Sequence, residues 1–124
     1  MIVIDTDIVI DHLRGHQPSI SFFESILHTD DVFFSAITEA ELVAGKACAD
    51  ENKKELLLHF LHRWIIIPVS HEIAVLAGDL AREYSLTLPD ALIAATARIH
   101  KAELLTRNVK DFKDIPGLTV RAPY

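Results

Sequence analysis

Short apolar segments alternate along this chain with longer segments whose apolar residues recur at helical spacing. The short segments predict strands at residues 2–4, 32–34, 65–67, 103–106 and 118–120. The clearest helical pattern follows Ser70, which is expected to cap the helix, with apolar residues at intervals of three and four from Ile73 to Tyr84. Because such alternation is typical of α/β folds, we expect a layered fold around a parallel sheet of four to five strands.

The size and composition of the chain limit its class. Its 124 residues, half of them hydrophobic, fit one domain over residues 1–124 with a buried core. No apolar run approaches the roughly 18 residues that span a bilayer, and Asp5, Asp7 and Asp11 interrupt what would be the apolar region of a signal peptide. Cys48 is the only cysteine, which excludes a disulfide framework or cysteine-based zinc site and favours the cytoplasm.

Three carboxylates lie where an apolar segment gives way to a helix-starting sequence: Asp5, Glu41 and Asp90. Residues at strand ends and helix starts can converge at one edge of an α/β sheet, where such folds place their sites. Converging carboxylates repel one another unless a cation or shared protons compensate. The three acids therefore predict a divalent-metal site.

These acids, and Asp7 beside Asp5, also have purely structural interpretations, in which one acid of the Asp5–Asp7 pair caps a helix and the other is solvated. Asp7 could cap the first helix, since its carboxylate can accept backbone N–H groups. The sequence Thr38-x-x-Glu41 matches a capping box, in which the glutamate reaches back to the start of its helix. Thr87 stands in the same relation to Asp90, an acid that the helix dipole favours in a first turn. The occurrence of all three acids at the ends of different strands is what favours a functional role over a structural one.

An all-oxygen set of ligands favours Mg²⁺ or Mn²⁺ over zinc, and such ions support hydrolysis of phosphodiesters. An alternative comes from residues 2–9, which match the Asp-x-Asp pattern of haloacid dehalogenase-type phosphatases. In that interpretation Asp5 is the nucleophile and Asp7 the general acid. It is disfavoured because residues 107–124, after the strand that ends at Thr106, are too few for the further acidic motif.

Four segments taken together, residues 5–15, 35–45, 88–97 and 105–112, resemble the PIN domain in order and spacing. More narrowly, they resemble the VapC-type toxins of prokaryotic toxin–antitoxin pairs. The resemblance implies a three-layer α/β/α domain, a pocket for Mg²⁺ or Mn²⁺, and endoribonuclease activity on RNA. It also implies a homodimer and a cognate antitoxin whose C-terminal segment occupies a groove near the active site.

Carried over by position, Asp5, Glu41 and Asp90 match the principal acids of that family, as catalytic residues and metal ligands. The fourth position of the metal site falls on Asn108, with Asp111 one helical turn further on as a catalytic acid. Asn108 cannot supply a negative charge, which favours one bound ion over two. It also motivates an alternative, a PIN-like RNA-binding module that has lost catalysis.

The net charge of -6 argues against a general phosphate-binding surface. It is consistent with an acidic pocket whose local charge a cation reverses, and whose mouth attracts a basic antitoxin segment. A few cations near the four segments are candidates to bind phosphates, with solvated surface charge as the alternative. These are Arg14, Lys46, Arg107 and Lys110.

Overall fold

One five-stranded sheet forms the centre of the computed structural model, which describes residues 1–124. Its strands are β1 (Ile2–Ile4), β2 (Val32–Ser35), β3 (Ile65–Ile67), β4 (Glu103–Leu105) and β5 (Thr119–Arg121). They lie in the order β3-β2-β1-β4-β5, and every pair is parallel. The α/β class and the parallel sheet are therefore confirmed.

Seven α-helices connect and flank the strands. They are α1 (Thr6–Leu13), α2 (Gln17–Ile26), α3 (Ala36–Val43), α4 (Glu51–Leu61), α5 (His71–Tyr84), α6 (Leu88–Ile99) and α7 (Val109–Phe112). A 3-10 turn at Lys46–Ala49 precedes α4. As predicted, Ser70 caps α5 through a hydrogen bond from Ile73 N. None of the helices is long and apolar enough to cross a lipid bilayer.

The two faces of the sheet bury two separate apolar clusters, because successive side chains of a strand point to opposite faces. Val3 and Leu104 belong to the cluster that includes residues of α5 and α6. Ile4 and Phe34 belong to the cluster that includes residues of α1, α2 and α4. Helices thus cover the sheet on both sides, which confirms the three-layer α/β/α architecture.

The carboxyl ends of the parallel strands meet at one edge of the sheet. Ile4 pairs with Leu105 in the register of β1 and β4, and the Asp5 amide donates to the Leu105 carbonyl over 2.9 Å. Asp5 and Thr106 are therefore neighbours although they are far apart in the chain. The candidate site lies along this edge.

Candidate active site

Asp5 occupies the junction between β1 and α1 and is 2% exposed. Its Oδ1 accepts a hydrogen bond from Thr6 N and its Oδ2 one from Thr106 Oγ1, each 2.7 Å long. Burial raises the pKa of Asp5 to about 6, and the charges of Asp7 and Asp90 add to this, while the two hydrogen bonds oppose it. A cation beside this carboxylate would offset the cost of its charge.

Asp7 lies in the first turn of α1, close to the segment that follows β4. The helix begins at Thr6 with Asp5 as its N-cap, so the interpretation of Asp7 as the cap is wrong. Its Oδ2 accepts a hydrogen bond from Asn108 Nδ2 at 3.1 Å and lies 3.8 Å from Arg107 Nη2. Asp7 therefore faces the site edge together with Asp5.

Glu41 contacts α1 rather than the start of its own helix. The predicted capping box is wrong, because α3 begins at Ala36 and Ser35 caps it by accepting from Ile37 N. Glu41 lies further along the helix, where its Oε1 accepts a 2.8 Å hydrogen bond from Thr6 Oγ1. One residue, Thr6, thus contacts Glu41 through its side chain and Asp5 through its backbone.

Asp90 lies in the first turn of α6, and the predicted cap is present. Thr87 Oγ1 accepts from Asp90 N at 3.3 Å. Burial raises the pKa of Asp90, and the nearby charges of Asp7 and Asp111 raise it further, against the effect of Thr87. The charge of Asp90 is therefore close enough to interact with those of Asp5, Asp7 and Asp111.

The two candidates for the fourth position lie at different places. Asn108 directs its amide nitrogen to Asp7, whereas Asp111, in α7, shares a cavity of about 360 Å³ with Asp90, Lys110 and Asp114. The structure thus brings Asp111 next to Asp90 and Asn108 next to Asp7. Only Asp111 adds negative charge to the cluster.

The acids lie near one another without forming a finished metal cage. No group of three or more His, Cys, Asp or Glu side chains is arranged to hold a metal ion. The donor set nevertheless fits a hard cation, because its atoms are carboxylate oxygens and the buried Asp5 carries unfavourable charge. Binding of one cation by three of these acids would require their side chains to move.

The predicted basic residues differ in their surroundings. Arg107 is paired with acids of α1, through Asp11 Oδ2 at 3.1 Å and more distantly through Asp7. Lys110 lines the cavity beside Asp90. Arg14 and Lys46 are exposed and belong to none of the ion pairs.

Sequence reasoning gave no site role to two threonines that hold the acids, Thr6 and Thr106. Both are buried, at 4% and 0% exposure. Thr106 had one available signal, since a polar residue that directly follows an apolar strand lies at the same sheet edge as Asp5. Thr6 had none, because its contact with Glu41 depends on how α1 packs against α3.

Comparison with known proteins agrees with this geometry. A family model described as the PIN domain matches residues 2–118. Ribonuclease VapC19 of Mycobacterium tuberculosis is 35% identical over 130 residues, which cover 100% of both chains. Ribonuclease VapC1 of Rickettsia felis is 35% identical over 129 residues, which cover 96% of this chain and 93% of the relative.

A solved structure also matches the whole chain. A chain in a toxin–antitoxin complex from Klebsiella pneumoniae is 36% identical and superposes with a TM-score of 0.84, covering 100% of this chain and 98% of that chain. These matches extend over nearly the whole sequence and include every segment of the site. The chain therefore belongs to the PIN domain family, among its VapC-type proteins.

Proposed function

We propose that this protein is an endoribonuclease that hydrolyses RNA phosphodiester bonds with a divalent cation, and that it is the toxin of a type II toxin–antitoxin module in the cytoplasm. The observation that carries the proposal is Asp5, a buried carboxylate that faces the charges of Asp7 and Asp90. Relatives that match over nearly their whole length are named ribonucleases, and ribonucleases of the PIN family generally use a divalent metal. This membership displaces the phosphatase alternative.

The proposed ligands are Asp5, Glu41 and Asp90, with Asn108 at the edge of the site and Asp111 as the further catalytic acid. The chemistry that Mg²⁺ or Mn²⁺ supplies at such a site is positive charge, which activates water and stabilises the leaving oxygen. Thr106 and the Thr6 amide hold Asp5 in one orientation. The Thr6 hydroxyl fixes one oxygen of Glu41 and leaves the other available.

The test is cleavage of single-stranded RNA with Mg²⁺ or Mn²⁺, with and without EDTA. We expect cleavage that EDTA abolishes and that the Asp5→Ala and Asp90→Ala proteins lack. Asp79→Ala is a suitable control, because Asp79 is a half-exposed acid paired with Arg82 outside the cluster. Full cleavage by the Asp5→Ala protein would sink the proposal.

A catalytically weakened RNA-binding module is the second candidate function. The observation that favours it is Asn108, whose amide contacts Asp7 where a further carboxylate would add charge. Calorimetry separates the two candidates. Mn²⁺ binding with RNA turnover supports the nuclease, whereas Mn²⁺ binding without turnover of any RNA supports the module.

The antitoxin proposal rests on an apolar cleft of about 500 Å³ between α1 and α4. Two of its lining residues, Leu13 and Leu56, are 54% and 70% exposed, and exposed apolar side chains grouped in a cleft are one mark of a protein interaction site. Solved relatives are described as toxin–antitoxin complexes. We propose that an antitoxin segment covers this cleft. The homodimer is a separate prediction, which a measurement of the molar mass by light scattering would test.

A further inference from the structure

Arg107 lies at the rim of the acidic cluster, directly after the residue that holds Asp5. Its Nε is 3.1 Å from Asp11 Oδ2 and its Nη2 is 3.8 Å from Asp7 Oδ2. The side chain is 46% exposed. One edge of the guanidinium therefore rests against α1 while the other remains open to solvent.

Asp11 holds this arrangement from the protein side. It is 8% exposed, and the Oδ2 atom that pairs with Arg107 also accepts a 2.6 Å hydrogen bond from the Tyr124 hydroxyl. Burial and this bond raise the pKa of Tyr124 to about 12, so the hydroxyl keeps its proton at neutral pH. A nearly buried acid thus links the last residue of the chain to Arg107.

The guanidinium retains donors for another ligand. Arginine has five N–H donors in a planar fork, and only Nε has an acid oxygen within hydrogen-bonding distance. The terminal nitrogens lie beyond that distance from Asp7. A fork with free terminal donors is suited to the paired oxygens of a phosphate.

We propose that Asp11 and Tyr124 are positioning residues that hold Arg107 so that its guanidinium binds a backbone phosphate of RNA beside the cleaved bond. The inference rests on the proposed ribonuclease function and adds an element of substrate binding to it. Asp11 touches neither RNA nor metal and acts only through Arg107. The alternative is a structural ion pair that tethers the C-terminal residues to α1.

The direction in which one substitution changes the affinity for RNA separates these two roles. Asp11→Asn removes a negative charge near the RNA-binding edge, so without positioning it strengthens RNA binding through simple electrostatics. Positioning has the opposite consequence, because Arg107 loses its fixed orientation and binds the phosphate less often. We therefore expect Asp11→Asn to weaken binding about fivefold, since a charge-assisted hydrogen bond is at stake.

The experiment measures the dissociation constant of a fluorescein-labelled single-stranded RNA as a function of KCl at constant Mg²⁺. All substitutions are placed in the full-length Asp5→Asn protein, so that cleavage does not interfere. Arg107→Gln should weaken binding about tenfold and reduce the slope of log K against log salt by about 0.7, the value for one phosphate of a single strand. Arg82→Gln, in an exposed ion pair of α5, is the matched control and should reduce the slope less.

Two further variants show whether a loss of binding comes from Arg107 or from misfolding of the protein. Tyr124→Phe changes no charge and should weaken binding about twofold, because it removes one hydrogen bond from Asp11. In the Arg107→Gln background, Asp11→Asn should no longer weaken binding. Stronger binding by the single Asp11→Asn protein, or an Arg107→Gln slope equal to that of Arg82→Gln, would overturn the proposal.

Failure of the proposed function would look different. If the protein with Asp5 intact cleaves no RNA, the ribonuclease proposal fails whatever the salt slopes show. If it cleaves RNA and the Arg107→Gln slope is unchanged, only the positioning role fails. Absence of both RNA cleavage by the intact protein and measurable RNA binding by the Asp5→Asn protein overturns both.

Discussion

The two sides of the acidic cluster differ in how firmly their carboxylates are held. On the β1 side, Asp5 is buried and both of its oxygens accept hydrogen bonds from threonines. On the α6 side, Asp90 is half-buried and Asp111 is exposed, and both line an open cavity. The carboxylate on the β1 side is therefore preorganised, whereas the two on the α6 side are free to change conformation.

This difference suggests a division of labour. A ligand held by buried neighbours sets the position of a bound cation with little reorganisation. A more exposed pair of acids can move to complete the coordination, which is what the absence of a ready-made cage requires. Substitutions on the β1 side should therefore have larger effects than matched substitutions on the α6 side.

The largest expected effect is on catalysis. Asp5→Asn should lower the cleavage rate by about 1000-fold, because it removes the charge of the most firmly held of the proposed ligands. Asp111→Asn should lower it by about tenfold, since its exposed carboxylate is replaceable by water. Single-turnover cleavage of one RNA by both proteins measures the ratio. Equal losses would remove the distinction between the two sides.

The next largest effect is on the free energy of unfolding of the metal-free protein. Folding raises the pKa of Asp5 from 3.8 to about 6, so the folded chain binds this proton more tightly than the unfolded chain does. The contribution of Asp5 to the free energy of unfolding therefore increases as the pH falls between about 6 and 4, by roughly 3 kcal/mol at most. Asp5→Asn should abolish this contribution.

Urea unfolding in EDTA at neutral and mildly acidic pH tests the pH effect. The difference between the two pH values is compared in the unmodified and Asp5→Asn proteins, which cancels the other titrating groups. Asp90→Asn should reduce the pH dependence less, because Asp90 is less buried. If the unmodified protein and Asp5→Asn respond identically to pH, the folded chain does not strain this carboxylate.

A smaller effect distinguishes two threonines that support the acids. Thr106→Val removes a hydrogen bond to the Asp5 carboxylate and should weaken Mn²⁺ binding about tenfold, as loss of a supporting hydrogen bond commonly does. Thr87→Val removes the cap of α6 and should cost about 1 kcal/mol of stability, with little change in Mn²⁺ affinity. Calorimetric titration of Mn²⁺ into both proteins decides between these expectations.

The smallest effect concerns the link between α1 and α3. Thr6→Ser keeps the hydroxyl that donates to Glu41, so Mn²⁺ affinity should change less than twofold. Thr6→Val removes it and should weaken Mn²⁺ binding about threefold, less than is usual for a bond to a carboxylate, because Glu41 is exposed to solvent. Identical affinities for the two variants would show that Thr6 does not orient Glu41.

Much of the architecture was predictable from local sequence. The strands and the place of Asp5 follow from apolar segments that end in a polar residue, and Thr87 and Ser70 were correctly identified as caps. Helix α3 was placed wrongly, because Ser35 and Thr38 are both favourable caps and local sequence does not distinguish them. That error is what produced the false capping box of Glu41.

The details of the site depend on contacts that no local pattern encodes. The positions of Asn108 and Asp111 depend on α7, which has four residues and is too short to show helical periodicity. The pairing of Arg107 with Asp11 joins segments that are distant in the chain. The acids could be named from the sequence, whereas their partners required the tertiary structure.

The hydrogen bond between Thr106 and Asp5 joins residues 101 positions apart, which has a consequence for synthesis of the protein. Contacts between distant residues form late, since most of the chain must be present before the loop can close. A nascent chain that still lacks β4 has no partner for β1 on that side and no support for its principal acid. We therefore expect nuclease activity to begin only after β4 has been made and has paired with β1.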